Sequence, residues 1–423
     1  MKKITGGVCA PKGFLAGGIR CGIKPSSQKK DLALIYSRKD CRACAMFTKN
    51  KVKAASVVLS AENIADGKLR AIIANSGNAN ACTGDDGMKA AKRMAKAAAE
   101  ILSIDPKDTA VASTGVIGVP LPIEVIEKNI NALKDSLRDD AQGHADALEA
   151  IMTTDTRNKE IAVEIEINGK PVRIGAMAKG SGMIHPNMAT MLCFITTDAA
   201  IAHNALDAAL RRAVSRSFNR LTVDGDTSTN DMIVIMANGE AGNEEIGITN
   251  DERVMKKEEE SGFDIFYNAL EFVCIELTKM MARDGEGATK LVTVTVTSAL
   301  SETSAEALAM SVGSSSLVKA ACFGADANWG RVLCAMGYAD AQCRNDTEFD
   351  PEKTDVSFKS KAGEILVCKN GQTSHFSEEK AKEILSQEEI EIIIDIKQGT
   401  ECVSVWGCDL TYDYVKINGD YRS

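Results

Sequence analysis

The 423-residue sequence is poor in several features that would assign it to a common functional class. It has only four histidines, none at helical spacing from another, so no histidine-rich metal site is indicated. The net charge is −9 and no block of lysine and arginine stands out, which argues against a nucleic-acid partner. The longest apolar runs, such as MIVIM from Met232, are too short to cross a membrane.

The N-terminal segment also lacks the apolar stretch of a secretory signal, so we expect a soluble, cytoplasmic protein. In that reducing compartment, the 13 cysteines are expected to be mostly buried free thiols rather than disulfides. Cys41 and Cys44 form a CxxC pair, but no second pair completes a zinc site. We therefore expect no bound metal.

Two polar, glycine-containing strings begin at Asn75 and Val223, but neither has the glycine spacing of a nucleotide-binding loop. Their Asn, Asp, Gly and Ser residues are typical of tight turns. The second string carries Asp224, Asp226 and Asp231, yet it lacks the sixth-position glycine and closing glutamate of a calcium loop. Both strings are interpreted as loops without a phosphate or a metal.

Helical and strand periodicities alternate along the chain. Apolar residues recur at spacings of three and four in segments that begin at Gly87, Ala205 and Phe266, which predicts amphipathic helices. Strands are predicted from Arg70, Thr109, Asp231, Leu291 and Glu389. The segment 161–178 predicts a hairpin, because Asn168-Gly169 fits a type I′ turn between two alternating runs.

Strands and helices mixed without strict βαβ alternation predict a layered α/β/β/α-type sandwich rather than a Rossmann fold. We expect a main α/β body over residues 1–300 and a smaller C-terminal α/β part over 301–423 that closes the site. The boundary is placed in the Ser- and Ala-rich stretch from Ser298, although a helix of small residues would have the same composition.

Thr190 follows the small residue Ala189 and precedes the apolar run MLCFITT. A threonine in this context can attack the peptide bond before it and then, as a new N-terminus, perform acyl transfer. Its own α-amine, with a pKa of about 7.7–8.0, is the base that activates the hydroxyl. Judged from the residues alone, an exposed threonine in a loop between strands is the more ordinary interpretation.

The sequence resembles the glutamate N-acetyltransferase family, the ornithine acetyltransferases of arginine biosynthesis, from end to end. The similarity is carried by long, unusual strings: GVCAPKGFLAGGIRCGIK, CRACAMFTKN, ANSGNANACTG, ASTGVIG, MTTDT, the MATM around Thr190, SFNRLTVDGDTSTND, RDGEGATKL, ADANWGR and YVKINGDYR.

The resemblance implies self-cleavage between Ala189 and Thr190 into fragments 1–189 and 190–423, which assemble into a heterotetramer. It implies a ping-pong reaction in which Thr190 takes the acetyl group of N-acetyl-L-ornithine and passes it to L-glutamate. No cofactor is implied. Some members also take acetyl from acetyl-CoA, and the sequence leaves open whether this chain does.

The resemblance further implies roles for residues on several loops. Thr114 and Gly115 match the oxyanion donors, although the residues alone favour a turn after a strand. Lys179 matches a substrate contact, as a point charge for a carboxylate, although a lysine beside a glycine is usually an ordinary loop residue. Thr153 matches another substrate contact, and Thr154 is left as the alternative.

Glu286, Asn418 and Ser423 match the remaining substrate contacts. The Glu286 carboxylate lies between two glycines, where it could recognise an ammonium group or move a proton, or simply follow a helix end. The tail departs from the family at Gly419, where alanine is common, and at Ser423, where threonine is common; serine keeps the hydroxyl.

Two other functions are consistent with parts of this pattern. A self-processing hydrolase of the β-aminopeptidase type would expose its nucleophile by the same cleavage but release the acyl group to water. A non-catalytic binding protein would be expected to lack Thr190, Thr114 or Lys179, and all three are present.

Overall fold

The computed structural model describes residues 1–24, 27–185, 191–248, 261–339 and 349–419. The chain forms two compact units. The first comprises residues 1–180, 187–219 and 227–277, and the second comprises residues 181–186, 220–226 and 278–423. Within the described residues, no helix has both the length and the apolar character needed to span a membrane.

The first unit is built on a mixed nine-stranded sheet. Its strands are β1 (Lys2–Ile4), β2 (Phe14–Ile19), β3 (Leu32–Phe47), β4 (Lys68–Asn78), β5 (Thr109–Val116), β6 (Lys159–Ile167), β7 (Lys170–Lys179), β8 (Leu192–Thr197) and β10 (Met232–Ala237). The order is β1-β6-β7-β8-β10-β3-β4-β5, with β2 also paired to β3. Among the described pairs of this sheet, only β8–β10 and β4–β5 are parallel, so the sheet is not of the Rossmann type.

Helices cover both faces of this sheet. They are α1 (Ala55–Asn63), α2 (Gly84–Leu102), α3 (Ile123–Asp135), α4 (Ala141–Ile151) and α5 (His203–Ser215), with α6 (Gly262–Arg283) running from residues of the first unit into the second. Leu34 of β3 packs with α2 and α3 on one face, whereas the next residue, Ile35, packs with α4 on the other. This alternation is what a strand buried on both faces requires.

The second unit contains a seven-stranded sheet in the order β14-β13-β12-β15-β11-β16-β9. The strands are β9 (Leu221–Thr222), β11 (Leu291–Ala299), β12 (Asp355–Ser360), β13 (Gly363–Lys369), β14 (Gln372–Thr373), β15 (Glu389–Asp395) and β16 (Glu401–Cys408). The helices are α7 (Glu302–Ser314), α8 (Ser316–Phe323), α9 (Trp329–Gly337), α10 (Glu378–Leu385) and α11 (Tyr412–Asn418). Val294 and Leu308 belong to its apolar core, which joins sheet and helices.

The predicted mixed α/β class is confirmed, as are the predicted helices and strands. Asn168 and Gly169 have φ of 50° and 71°, the left-handed values that a type I′ turn needs between β6 and β7. The units divide at Leu277 and Thr278 rather than near residue 300, because β11 is an interior strand of the second sheet. The small-residue stretch after Ser298 is largely helix α7, the alternative that its composition allowed.

Candidate active site

The predicted site residues fall into three groups. Thr114, Gly115, Thr153 and Lys179 lie in the first unit, and Glu286 and Asn418 lie in the second. The predicted nucleophile and cleavage position, Ala189 and Thr190, and the C-terminal residue Ser423 lie outside the described residues.

Three of the four first-unit residues meet at the end of strand β7. The Lys179 Nζ atom donates to Thr153 Oγ1 at 2.8 Å and to Thr114 Oγ1 at 3.3 Å. Thr153 follows the C-terminal end of α4, and Thr114 lies on β5, so distant elements converge on one ammonium group. Lys179 is only 3% exposed. We call Lys179, Thr114, Thr153 and Asp155 the lysine cluster.

Asp155 is the anion of this cluster. Its Oδ1 accepts from Gly180 N at 2.7 Å and Lys159 Nζ at 2.7 Å, and its Oδ2 accepts from Thr153 N at 3.0 Å. Lys179 Nζ lies 3.9 Å from Oδ2. Burial raises the pKa of this carboxyl, but the Lys179 and Lys159 ammonium groups outweigh burial and hold the pKa well below its usual range. Asp155 is therefore ionised and orients both the Thr153 backbone and Lys179.

The two threonine hydroxyls keep a proton to donate. An ammonium group has donors only, so both hydroxyl oxygens act as acceptors towards Lys179. Within the described part of the chain, neither hydroxyl proton has a protein acceptor. The cluster therefore presents hydroxyl donors backed by a positive charge, an arrangement that suits an oxyanion or a carboxylate.

Gly115 is required by the backbone beside it. It has φ of 135°, and a Cβ atom there would lie 2.3 Å from the carbonyl carbon of Gly77 on β4. A larger residue would separate the ends of β4 and β5, where Thr114 lies. Asn230 holds the same strand end, because its Nδ2 donates to Ser113 O at 2.8 Å. Gly115 and Asn230 therefore hold the end of β5, and with it Thr114, in place.

Asp231, which directly precedes β10, is a fully buried carboxyl. Its Oδ1 accepts from Met191 N at 3.0 Å, and Met191 is the chain neighbour of Thr190. Its Oδ2 has no hydrogen-bond partner among the described residues. Burial raises the pKa of Asp231 well above its usual range, and the amide of Met191 and the Lys179 charge offset only part of that rise. The buried environment therefore favours the protonated acid over the carboxylate.

In the second unit, Glu286 and Asn418 are directly hydrogen-bonded. The Asn418 Nδ2 atom donates to Glu286 Oε2 at 2.8 Å. The Glu286 backbone N–H donates to the Ser181 carbonyl oxygen at 2.8 Å. The amide contact holds the backbone of Glu286, and the contact with Asn418 holds its carboxylate, so the charged group has a defined position.

Gly182 leaves the space that the Glu286 carboxylate occupies. A Cβ atom at position 182 would lie 2.2 Å from Glu286 Oε2, so any larger residue would displace the carboxylate. Glu286 is 8% exposed, and its second oxygen, Oε1, can still accept a hydrogen bond. A nearly buried carboxylate with remaining acceptor capacity is suited to bind an ammonium group.

Sequence reasoning gave no role in the site to four charged residues that the structure places at or beside the lysine cluster: Asp155, Lys159, Asp231 and Lys24. Asp155 lies in the MTTDT string and Lys24 ends the string that begins at Gly7. Their positions in strings that carry the family resemblance were the signal that could have identified them. Hydropathy patterns assign charged residues to the surface, and only the fold reveals that Asp155 and Lys159 are buried as a pair 2.7 Å apart.

The CxxC pair has no role in either group. Cys41 and Cys44 are buried free thiols, and burial raises the pKa of each to about 12. A thiol with such a pKa is neutral near pH 7 and is a poor nucleophile.

Comparison with known proteins finds extensive similarity. The model of the ArgJ family matches residues 15–423. The arginine biosynthesis bifunctional protein ArgJ of Caldanaerobacter subterraneus is 50% identical over 423 residues, which covers 100% of both chains. The glutamate N-acetyltransferase of Methanothermobacter thermautotrophicus is 46% identical over 428 residues, covering 100% of this chain and 99% of the relative.

Solved structures match part of the chain. An ArgJ structure from Bacillus halodurans is 46% identical and covers 44% of this chain and 97% of its own, with a TM-score of 0.43. An ornithine acetyltransferase from Mycobacterium tuberculosis, in complex with ornithine, is 39% identical and covers 43% of this chain and 94% of its own, with a TM-score of 0.40.

Proposed function

Because the chain belongs to the ArgJ family of arginine-biosynthesis enzymes, we propose that it transfers the acetyl group of N-acetyl-L-ornithine to L-glutamate. The observation that carries the proposal is the lysine cluster, in which Lys179 contacts both Thr114 and Thr153. Relatives that span the full chain support it, because they are named as glutamate N-acetyltransferase or as bifunctional enzymes of arginine biosynthesis.

The proposed reaction begins with self-cleavage between Ala189 and Thr190. The new α-amine of Thr190 then takes the proton of its own hydroxyl, which attacks the acetyl carbonyl of N-acetyl-L-ornithine. Ornithine leaves with that proton on its amine, and an acetyl-threonine ester remains. The free amine of glutamate attacks the ester, which releases N-acetyl-L-glutamate and restores the threonine hydroxyl.

The lysine cluster supplies the electrostatic part of this proposal. Negative charge develops on the acetyl oxygen in both tetrahedral intermediates, and a donor held in place beforehand stabilises it. Among the described residues no group accepts the Thr114 hydroxyl proton, so this hydroxyl can donate to the oxyanion, and the positive charge of Lys179 strengthens it as a donor. We assign the second oxyanion donor to the backbone N–H of Gly115.

Glu286 and Asn418 are proposed to recognise the amino-acid part of the substrates. The Glu286 carboxylate suits the ammonium group of N-acetyl-L-ornithine, and Asn418 holds that carboxylate in place at 2.8 Å. We further propose that Ser423 contacts substrate, that no cofactor is required, and that the cleaved fragments form a heterotetramer in the cytoplasm.

Product analysis tests the proposal. The purified protein is incubated with N-acetyl-L-ornithine, with and without glutamate, and the products are followed by mass spectrometry. We expect ornithine and N-acetyl-L-glutamate in equal amounts, with little acetate. Acetate release that is indifferent to glutamate would instead indicate the hydrolase, and a parallel reaction with acetyl-CoA as donor tests the bifunctional form.

Thr190→Ala tests the nucleophile in the same assay. Both the cleavage and the transfer need the hydroxyl, so we expect one uncut chain without transferase activity. Mass spectrometry of the intact protein distinguishes a 423-residue chain from its fragments. A variant that is still cut and active would remove Thr190 from the mechanism.

A further inference from the structure

Lys24 is a partly buried cation close to the lysine cluster. Its Nζ atom donates to the Met152 carbonyl oxygen at 2.8 Å and more weakly to the Lys30 carbonyl oxygen at 3.4 Å. Among the described residues, no carboxylate lies within 4 Å of this ammonium group. Its two partners are neutral, so the positive charge of Lys24 is not neutralised by a direct ion pair.

Lys30, six residues further on, shows the contrasting case. Its Nζ atom lies 2.5 Å from Asp146 and 3.3 Å from Glu149, so its charge is shared with two carboxylates on α4. Both lysines lie between β2 and β3, but of the two only Lys30 is engaged in described ion pairs that stabilise the fold.

Lys24 and Lys179 reach the same short segment. Lys24 binds the carbonyl of Met152, and Lys179 binds the hydroxyl of the next residue, Thr153. The stem of Lys24 lies against Gly77, where a Cβ atom would come within 2.5 Å of Lys24 Cγ. The lack of a side chain at this position of β4 lets the lysine lie along the strand and directs its ammonium group to the Met152 carbonyl.

The surroundings of Lys24 lower the pKa of its ammonium group. The pKa of Lys24 is lowered to about 8, mainly by burial and also by the Lys179 and Lys29 charges, whereas Asp31 and Asp155 oppose the change. Lys24 is therefore charged below about pH 8 and neutral above it. An anion bound beside it would favour the charged form.

The chemistry of the two proposed substrates differs in charge. Glutamate must have a neutral amine to attack the acetyl-enzyme, and in that form it carries two carboxylates and no positive group. N-acetyl-L-ornithine carries one carboxylate and one side-chain ammonium. A second cation beside Lys179 therefore fits the acceptor and not the donor.

We propose that Lys24 binds the second carboxylate of glutamate and selects it as the acetyl acceptor, while Lys179 binds the carboxylate that both substrates share. This inference rests on the transferase activity proposed above. It adds a specificity residue for one substrate of the two.

Lys24→Met and Lys30→Met form a matched pair for the test. Loss of a hydrogen bond to a charged group should raise the KM for glutamate about 10- to 100-fold in Lys24→Met. The KM for N-acetyl-L-ornithine should change less than about twofold, because the donor has no second carboxylate. Lys30→Met should leave both KM values unchanged, because its partly exposed ion pairs with α4 each contribute little to stability and their loss leaves the helix in place.

The pH dependence separates binding from a purely structural role. In the parent enzyme, the KM for glutamate should rise between about pH 7 and pH 9 as Lys24 loses its proton. Lys24→Arg keeps the charge at all these pH values, because the guanidinium is always protonated. The KM of Lys24→Arg for glutamate should therefore not rise in this way between about pH 7 and pH 9. The comparison uses the ratio of the parent KM to the variant KM at each pH.

Three outcomes would overturn the inference: an unchanged KM for glutamate in Lys24→Met, equal increases for both substrates, or an equal effect in Lys30→Met. An inactive parent enzyme would instead contradict the proposed function, so the two failures are distinguishable. Circular dichroism of each variant verifies that it is folded before the kinetic comparison.

Discussion

At the scale of single residues, Asp155 connects the predicted site residues to one another. Its carboxylate accepts from the backbone of Thr153 and of Gly180, and it lies between the ammonium groups of Lys159 and Lys179. A buried charge is tolerated when it is paired and hydrogen-bonded, and Asp155 satisfies both conditions. The geometry of Lys179 therefore depends on a carboxylate that need not touch substrate.

Asp155→Asn is expected to destabilise the fold. It keeps the size of the side chain but leaves the buried Lys159 and Lys179 ammonium groups without this anion, a loss that typically amounts to about 3–5 kcal/mol. Chemical denaturation at pH 7 measures it. The matched control is Asp86→Asn, since Asp86 pairs with Lys89 on an exposed surface and should show no measurable change.

The difference in unfolding free energy between the parent and Asp155→Asn should change with pH in a definite direction. The folded state lowers the pKa of Asp155, so its stabilising effect is present above the unfolded carboxyl pKa of about 3.9. That effect is lost as the pH falls towards the folded value. The gap in unfolding free energy between parent and Asp155→Asn should therefore narrow on acidification below about pH 4. A gap that widened would contradict the assigned ion pair.

At the scale of elements, strand β2 and helix α4 together set the position of Thr153. Gly18 of β2 lets the helix approach, because a Cβ atom at Gly18 would lie 2.1 Å from the Asp146 carbonyl oxygen. Ser76 of β4 donates to the Ala150 carbonyl oxygen at 2.6 Å, near the end of the same helix. The helix ends at Ile151, so its placement fixes the segment that both Lys24 and Lys179 contact.

Gly18→Ala is expected to move α4 and to disturb this segment. The new methyl group meets backbone atoms, which cannot rotate away, and overpacking of this kind usually destabilises by about 1–3 kcal/mol. Transferase activity should fall together with the denaturation midpoint. Gly247→Ala is the control, because a Cβ atom there has no heavy atom within 4 Å. Equal behaviour of the two variants would show that the helix is not seated as described.

Patterns of neighbouring residues predicted the helices and strands well, but they predicted the site less completely. Asn168 and Asp155 show why. The Asn168-Gly169 turn follows from backbone preferences of adjacent residues, and it forms as predicted. The burial of Asp155 follows from contacts with residues up to 25 positions away, such as Gly180, which no local pattern contains. The roles of Thr114, Lys179 and Glu286 came from resemblance, and the structure adds how two of them are connected.

At the scale of the whole molecule, the predicted cleavage point lies between two strands that pair with each other. Strand β7 ends at Lys179 and β8 begins at Leu192, and the two are antiparallel neighbours from Lys179↔Leu192 to Ile174↔Thr197. Strands β8 and β10 of residues 190–423 lie between β7 and β3 of residues 1–189. If the predicted cleavage occurs, each fragment would therefore complete the sheet of the other.

This interleaving predicts that the fragments stay together after cleavage. Separating them would break the hydrogen bonds of β8 with β7 and of β10 with β3, and would expose β8 and β10, whose residues are all buried. On a denaturing gel the cleaved protein should give two bands, whereas native size-exclusion chromatography should give one peak that contains both. The uncut Thr190→Ala chain should elute at the same volume. Elution of residues 1–189 alone in native buffer would contradict the shared sheet. In that sheet β7 and β3 of residues 1–189 flank β8 and β10, so this fragment could not dissociate freely.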